Sequence, residues 1–206
     1  MLSGAGLGVL APLLGADANG RAAYAEMTTS EEFRAPVRWA DIDVSRYAAV
    51  LLPGGHAPGM RPYLESATLQ RVVVDAFARG LVVAAICHGV LVAARARDAS
   101  GRSPLHGRRT TCLLASQERA AWMLTRAWLG DYYRTYPALV EDEVREQLAN
   151  PAQLERGPLP LRRDAPGQVG AGFVVRDGQY LSARWPGDAH RFAETLLEML
   201  TSTRTT

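Results

Sequence analysis

Two short runs carry the residue types that do covalent chemistry. Cys87 stands in Ala84-Ala85-Ile86-Cys87-His88-Gly89-Val90, where an apolar stretch gives way to helix-forming residues, and Pro53-Gly54-Gly55-His56-Ala57-Pro58-Gly59 closes an earlier apolar stretch. A nucleophile at a tight strand-to-helix turn projects from the carboxyl end of its sheet, where the unpaired N–H groups and dipole of the next helix favour negative charge. For a cysteine, that placement is expected to lower the thiol pKa. His88 can supply a nearby cation or move a proton, and Gly89 leaves room where a side chain would crowd the turn. Gly54 and Gly55 let the backbone approach a substrate beside His56, and amides of this run can form an oxyanion hole with the amide of His88. Each run also has a plainer reading: Cys87 as a small apolar residue ending a buried strand, the glycines as a tight turn. Both at strand ends, they point to one site, because ligands of open α/β sheets sit at the carboxyl ends of the strands.

The elements that must position these residues follow from periodicity. Ala48 to Leu52 is a continuous apolar run closed by breakers, which predicts a strand buried on both faces. Residues Leu64 to Arg79 place Leu64, Leu69, Val72, Val73, Ala76 and Phe77 on one helical face, with a glycine stop at Gly80. Leu81 to Ile86 is a second apolar strand, and helix-forming residues resume from Val90 to Ala96. Strand, helix, strand, helix marks a parallel sheet. Further on, the pattern predicts a strand over Arg109 to Leu114, helices over Glu118 to Leu129 and Val140 to Leu148, and a surface excursion over residues 150–168 with four prolines. Phe173 to Ala183 predicts a hairpin turning at Asp177-Gly178, and a last helix runs from Asp188 to Leu200, with Asp188 as its cap. Near the start, Asp17 to Phe33 predicts one helix ending before Pro36.

Composition narrows the functional classes. The 206 residues are 48% hydrophobic and 21% charged, and the formal charge of +2 comes without a dense basic stripe, so nucleic acid is not an expected partner. A single domain spanning 1–206 is expected from the length. With only Cys87 and Cys112, a reducing cytoplasm is the expected setting. The run Met1 to Leu14 has no basic leader, and no stretch approaches the roughly 18 to 20 apolar residues of a membrane span. No spacing of Cys, His, Asp and Glu implies a structural metal, and no phosphate-cradling glycine motif implies a nucleotide, so neither metal nor cofactor is expected.

The pair LLPGGHAPGM (Leu51 to Met60) and VVAAICHGVLVAA (Val82 to Ala94), together with VVRDGQYLSARWPGDAHRF (Val174 to Phe192), resembles the ThiJ/PfpI superfamily, whose fold is that of class I glutamine amidotransferases. The resemblance implies a flavodoxin-like three-layer α/β sandwich with a mostly parallel sheet. It makes Cys87 the nucleophile, His88 its acid/base neighbour, and the Gly55 and His88 amides the oxyanion donors, with Gly54, His56 and Gly89 shaping the substrate site. Asp188 and His190 are a lesser alternative, as the distant acid and base of a true glutaminase. The implied activities are those of a cysteine-dependent hydrolase or lyase acting on a small carbonyl compound or amide, as amidase, peptidase or glyoxalase. The alternative is a non-catalytic stress or redox protein. Oligomeric state stays open, although the family often forms homodimers.

The sequence departs from the family's pattern in one respect. Many members end their first strand with a glutamate that touches the cysteine, and no such strand precedes Ala48. The first βα unit is therefore expected to be missing, Met1 to be an internal or misassigned start, and the carboxylate partner of Cys87 stays unassigned. Arg184 and Trp185 are candidates for the pocket mouth, although a solvated arginine is the expectation there. Trp122, Trp128, Tyr132, Tyr133 and Tyr136 are expected to pack in the core, with a cover over the site or a dimer face as alternatives.

Overall fold

The computed structural model describes Ala16 and residues 18–202, so the apolar run Met1 to Leu14 and the start of the chain lie outside the described residues. The described residues fall into two units, one ending at Ile42 and the other beginning at Asp43. The first holds α1 (Ala18–Met27) and α2 (Glu31–Arg34) in place of the single helix expected over 17–33. Thr28 and Thr29 end α1 by turning their hydroxyls onto the carbonyls of Ala25 and Glu26, at 2.9 and 2.7 Å. Ser30 then starts α2 by accepting from the Phe33 amide at 3.3 Å. Short hydroxyl side chains that bond their own backbone compete with helix continuation, which is why the break falls there.

The second unit is built on a four-stranded sheet in the order β1-β2-β4-β3. Strands β1 (Ala49–Leu52) and β2 (Val82–Ile86) pair in parallel, as do β2 and β4 (Tyr180–Ala183), while β3 (Val174–Asp177) joins β4 as an antiparallel hairpin. Gly178 takes the positive φ of 58° that the hairpin turn requires. The alternation of β2 divides the core in two. Val83 and Ala85 face a cluster containing Leu69, Val73, Leu91 and Val144, and Val82 and Ala84 face Phe192 and Met199. The first cluster is supplied by α3 (Arg61–Leu64), α4 (Ala67–Ala78), α5 (Val90–Arg95) and α7 (Val140–Glu146). The second is covered by α8 (Ala189–Ser202), giving helix, sheet and helix layers. Helix α6 (Ala115–Leu129) completes the unit.

Local signals account for most boundaries. Ser66 accepts from the Leu69 amide at 3.2 Å to start α4, and Gly80, at φ 74°, lets the chain turn back into β2. Two expectations are corrected. Strand β1 is not buried on both faces: Leu52 is buried but Leu51 is 53% exposed, because β1 is the edge of the sheet and α8 packs on β4 and β2. Residues 109–114 form no strand, only a single bridge between Thr110 and Leu154. The Thr111 amide donates to the Ser182 hydroxyl at 2.9 Å, so this segment is tied to β4 through a side chain and not through a strand ladder. Residues 150–168 hold the short turn Pro151–Gln153 and a tight turn closed between Ala165 and Gln168; Leu159 and Leu161 are exposed, while Leu154 reaches the core. Among the described residues no strand precedes β1, and no helix is long and apolar enough to cross a membrane.

Candidate active site

Strands β1 and β2 run side by side and end in the two runs singled out by residue type. Leu52 pairs with Ala85, so Pro53-Gly54 and Cys87 follow the ends of neighbouring strands. Cys87 turns the chain with φ 60°, the one non-glycine residue of positive φ among those described. A left-handed cysteine is an uncommon conformation that persists only where its surroundings hold it. Here the surroundings are two glycines. A Cβ on Gly54 would lie 2.6 Å from the Cys87 Cβ and 2.7 Å from the Ile86 carbonyl oxygen, and one on Gly89 would lie 2.1 Å from the Leu52 carbonyl oxygen. Gly54 and Gly89 thus serve the close approach of two strand ends. A Cβ on Gly55 would meet only the flexible Met60 side chain, at 3.2 Å.

Within this elbow the Cys87 sulfur lies 3.6 Å from His88 Nδ1. His56 closes over the pair, its ring 4.5 Å from that of His88 and nearly perpendicular to it. Tyr133 stacks edge-on against His56 at 4.7 Å, and Tyr132 against Tyr133 at 5.2 Å. Residues 131–137 are held over the site by side-chain bonds. The Tyr136 hydroxyl donates to Glu65 at 2.9 Å and accepts from Arg95 at 3.1 Å, Arg95 forms a two-pronged pair with Glu143 at 2.6 and 2.9 Å, and the Thr135 hydroxyl donates to the His56 carbonyl at 3.4 Å. His56, Arg61, Tyr132, Arg134 and Thr135 line a cavity of about 480 Å³ on the outer side of His56.

The electrostatics correct one expectation. Burial pushes the Cys87 thiol up to about 12, and the nearby His88 amide, the main group favouring the thiolate, does not offset it. Burial also pushes His56 down to about 4 and His88 down to about 3. The elbow therefore does not rest as a thiolate beside an imidazolium; it rests as a thiol between two neutral imidazoles. Among the described residues no carboxylate hydrogen-bonds Cys87, and Glu118 and Asp188 act on it only by raising its pKa. A neutral imidazole is nevertheless a competent proton acceptor when the sulfur attacks.

Asp188 and His190 are not brought to the cysteine. Both Asp188 oxygens are taken by the Arg184 guanidinium, at 2.8 and 2.9 Å, and by the amides of Phe173 and Arg184, at 2.9 and 3.1 Å. Asp188 therefore does not cap α8 and is held away from Cys87 as a buried ion-pair partner. Arg184 is likewise not solvated, being 1% exposed. His190 lies at the start of α8, outside the group of His56, Cys87 and His88 whose donor atoms cluster. The aromatic stretch divides: Tyr133 covers His56, whereas Trp128 is half exposed. A cover over the site was one of the alternatives for the aromatic stretch, and Tyr133 provides it; which ring does so is not legible in the spacing of residues 131–137.

A family profile described as ThiJ/PfpI family-like matches residues 5–158. The chain belongs to that family, and the elbow, the glycine turn and the mostly parallel sheet are its flavodoxin-like α/β architecture in this sequence. Solved structures agree on the fold. The Rapid Encystment Protein 24 kDa of Francisella tularensis is similar with a TM-score of 0.65 at 20% identity, over 85% of this chain and 70% of that one. Glyoxalase III of Candida albicans is similar with a TM-score of 0.64 at 21% identity, over 89% and 70%. No curated protein sequence matches the chain.

Proposed function

We propose that the chain is a cysteine-dependent enzyme acting on a small carbonyl compound or amide, with Cys87 as nucleophile and His88 as proton carrier. The observation that supports this best is the left-handed elbow itself, which holds the Cys87 sulfur 3.6 Å from His88 Nδ1 under a glycine turn. In the proposed step the sulfur forms a bond to the carbonyl carbon and the C=O π pair moves to oxygen. The thiol proton passes to His88 and then to the carbonyl oxygen or the leaving amine. The His88 and Gly55 amides, at the two strand ends, are the proposed donors to the developing oxyanion. An aldehyde gives a thiohemiacetal and an amide gives an acyl thioester. Rearrangement of a 2-oxoaldehyde's thiohemiacetal also leads to a thioester, which water then hydrolyses to a hydroxy acid.

Methylglyoxal is the first substrate to assay, because a structural neighbour bears the name glyoxalase III. Wild type is expected to consume methylglyoxal or hydrolyse simple amides, and Cys87→Ser to lose that turnover by about 1,000-fold or more, as when a nucleophile is removed. Unchanged turnover in Cys87→Ser would overturn the proposal for those substrates. A non-catalytic stress role is the second reading, favoured by the lack of a carboxylate on Cys87 and by its raised thiol pKa. A reducing, cytoplasmic setting is proposed with either reading, supported by the two unpaired cysteines.

A further inference from the structure

Three side chains at the mouth of the elbow form a set that the thiol chemistry alone does not explain. His56, Cys87 and His88 each offer one metal-ligating atom, and these atoms lie within 4.8 Å of one another. His56 Nδ1 and His88 Nε2 are both buried with no hydrogen-bond partner. A buried ring nitrogen without a protein partner is a deficit, and a cation removes it at His56 directly. We infer that His56, Cys87 and His88 form a binding site for a divalent cation of the zinc class.

The donor set selects that class. One sulfur and two imidazole nitrogens are borderline-soft ligands suited to zinc, whereas calcium and magnesium require oxygen. With metal–sulfur and metal–nitrogen bonds of about 2.3 and 2.0 to 2.1 Å, tetrahedral ligands stand roughly 3.3 to 3.6 Å apart. The 3.6 Å between the Cys87 sulfur and His88 Nδ1 already has that value. The remaining separations close by a shift of about 1 Å, within the reach of small side-chain rotations. Three protein ligands leave a fourth position, which the cavity beside His56 can fill with water or an anion. On binding, the Cys87 S–H bond breaks, the proton leaves to solvent and a sulfur–metal bond forms, with no change of oxidation state. Because the same sulfur is the proposed nucleophile, the bound cation is an inhibitor of the activity proposed above, a consequence that rests on that reading, although the binding itself does not.

The test uses the full chain freed of metal by a chelator and then titrated with Co²⁺, whose spectrum reports its ligands. One equivalent is expected to give the near-ultraviolet thiolate-to-cobalt charge-transfer band and the intense visible bands of four-coordinate cobalt, both displaced by Zn²⁺. The charge-transfer band is expected to vanish in Cys87→Ser. Apparent affinity is expected to fall by more than the roughly 10- to 100-fold typical of outer-shell changes in His56→Ala, and to stay unchanged in His106→Ala. Zn²⁺ is also expected to protect Cys87 of the wild type from iodoacetamide, with protection lost on adding chelator. Stoichiometric cobalt without the charge-transfer band, or a band that survives in Cys87→Ser, overturns the site. So does an affinity that His56→Ala leaves unchanged. The wild-type spectrum and the labelling need no variant to fold. They also need no substrate, so a loss of this site is read separately from a loss of the enzymatic proposal, which is assayed in chelator.

Discussion

At the scale of the residue, the site depends on what two glycines lack. Any side chain at Gly54 or Gly89 runs into backbone, so the cost falls on the turn that presents Cys87. Gly54→Ala and Gly89→Ala are each expected to lower stability by about 1–3 kcal/mol, the usual cost of forcing a methyl group into filled space, and to reduce thiol-dependent turnover. Gly55→Ala, which meets only the Met60 side chain, is expected to cost less than either. Urea denaturation with turnover measured on the same samples checks the ranking, and equal costs at the three positions would contradict it. That Cys87, His88 and the glycines meet at neighbouring strand ends was legible in the sequence, because each run directly follows an apolar strand. The pKa of Cys87 was not legible, since it follows from burial, and burial is a property of everything that packs around the turn.

At the scale of the element, the ends of the strands do different work. β1 and β2 end in the reactive runs, while β4 ends in Arg184, whose pairing with Asp188 fixes the start of α8 against Phe173. Removing the charge of one partner in a fully buried pair leaves the other uncompensated. Asp188→Asn is accordingly expected to cost about 3–5 kcal/mol while leaving turnover per folded molecule within a fewfold of wild type. A near-complete loss of turnover in stably folded Asp188→Asn would restore Asp188 as a catalytic group. The segment over His56 is expected to respond in the opposite way. Tyr136→Phe loses the bonds to Glu65 and Arg95, a change of about 1–2 kcal/mol, and its main effect is expected on KM rather than kcat. The strands and most helices were legible because apolar runs and glycine stops are local signals. The single bridge at Thr110 was not, because it depends on a partner distant in sequence, Leu154, and on the Thr111 amide bonding the Ser182 hydroxyl.

At the scale of the whole molecule, stability is tied to pH through a carboxyl group packed away from water. Burial raises Glu118 from the ordinary 4.5 to about 7, while its carboxylate accepts from the Val140 amide at 3.1 Å. A raised carboxyl pKa means that the folded state holds the proton more tightly than the unfolded one. Its contribution is fully present below about pH 4.5 and is lost as pH rises through 7. Glu118→Gln keeps an acceptor for the amide and removes the ionisation. It is expected to leave the thermal midpoint near wild type at pH 4.5 and to raise stability by about 1–2 kcal/mol at pH 8, allowing for partial solvation. A difference between the two proteins that does not grow with pH would contradict the assignment. The three layers and the parallel order were legible from alternating element types. The exposure of Leu51 was not, because it depends on which strand lies at the edge and on where α8 packs.

The central claim is that the Cys87 sulfur bonds covalently to a substrate carbon, and both proposed reactions pass through an acyl thioester. Wild type quenched in acid during turnover of methylglyoxal or an amide, then cut and weighed by mass spectrometry, reports that intermediate directly. The expected result is the acyl mass on the peptide containing Cys87 and not on that containing Cys112. Sustained turnover with no acyl mass on Cys87, or with the same turnover in Cys87→Ser, would contradict it.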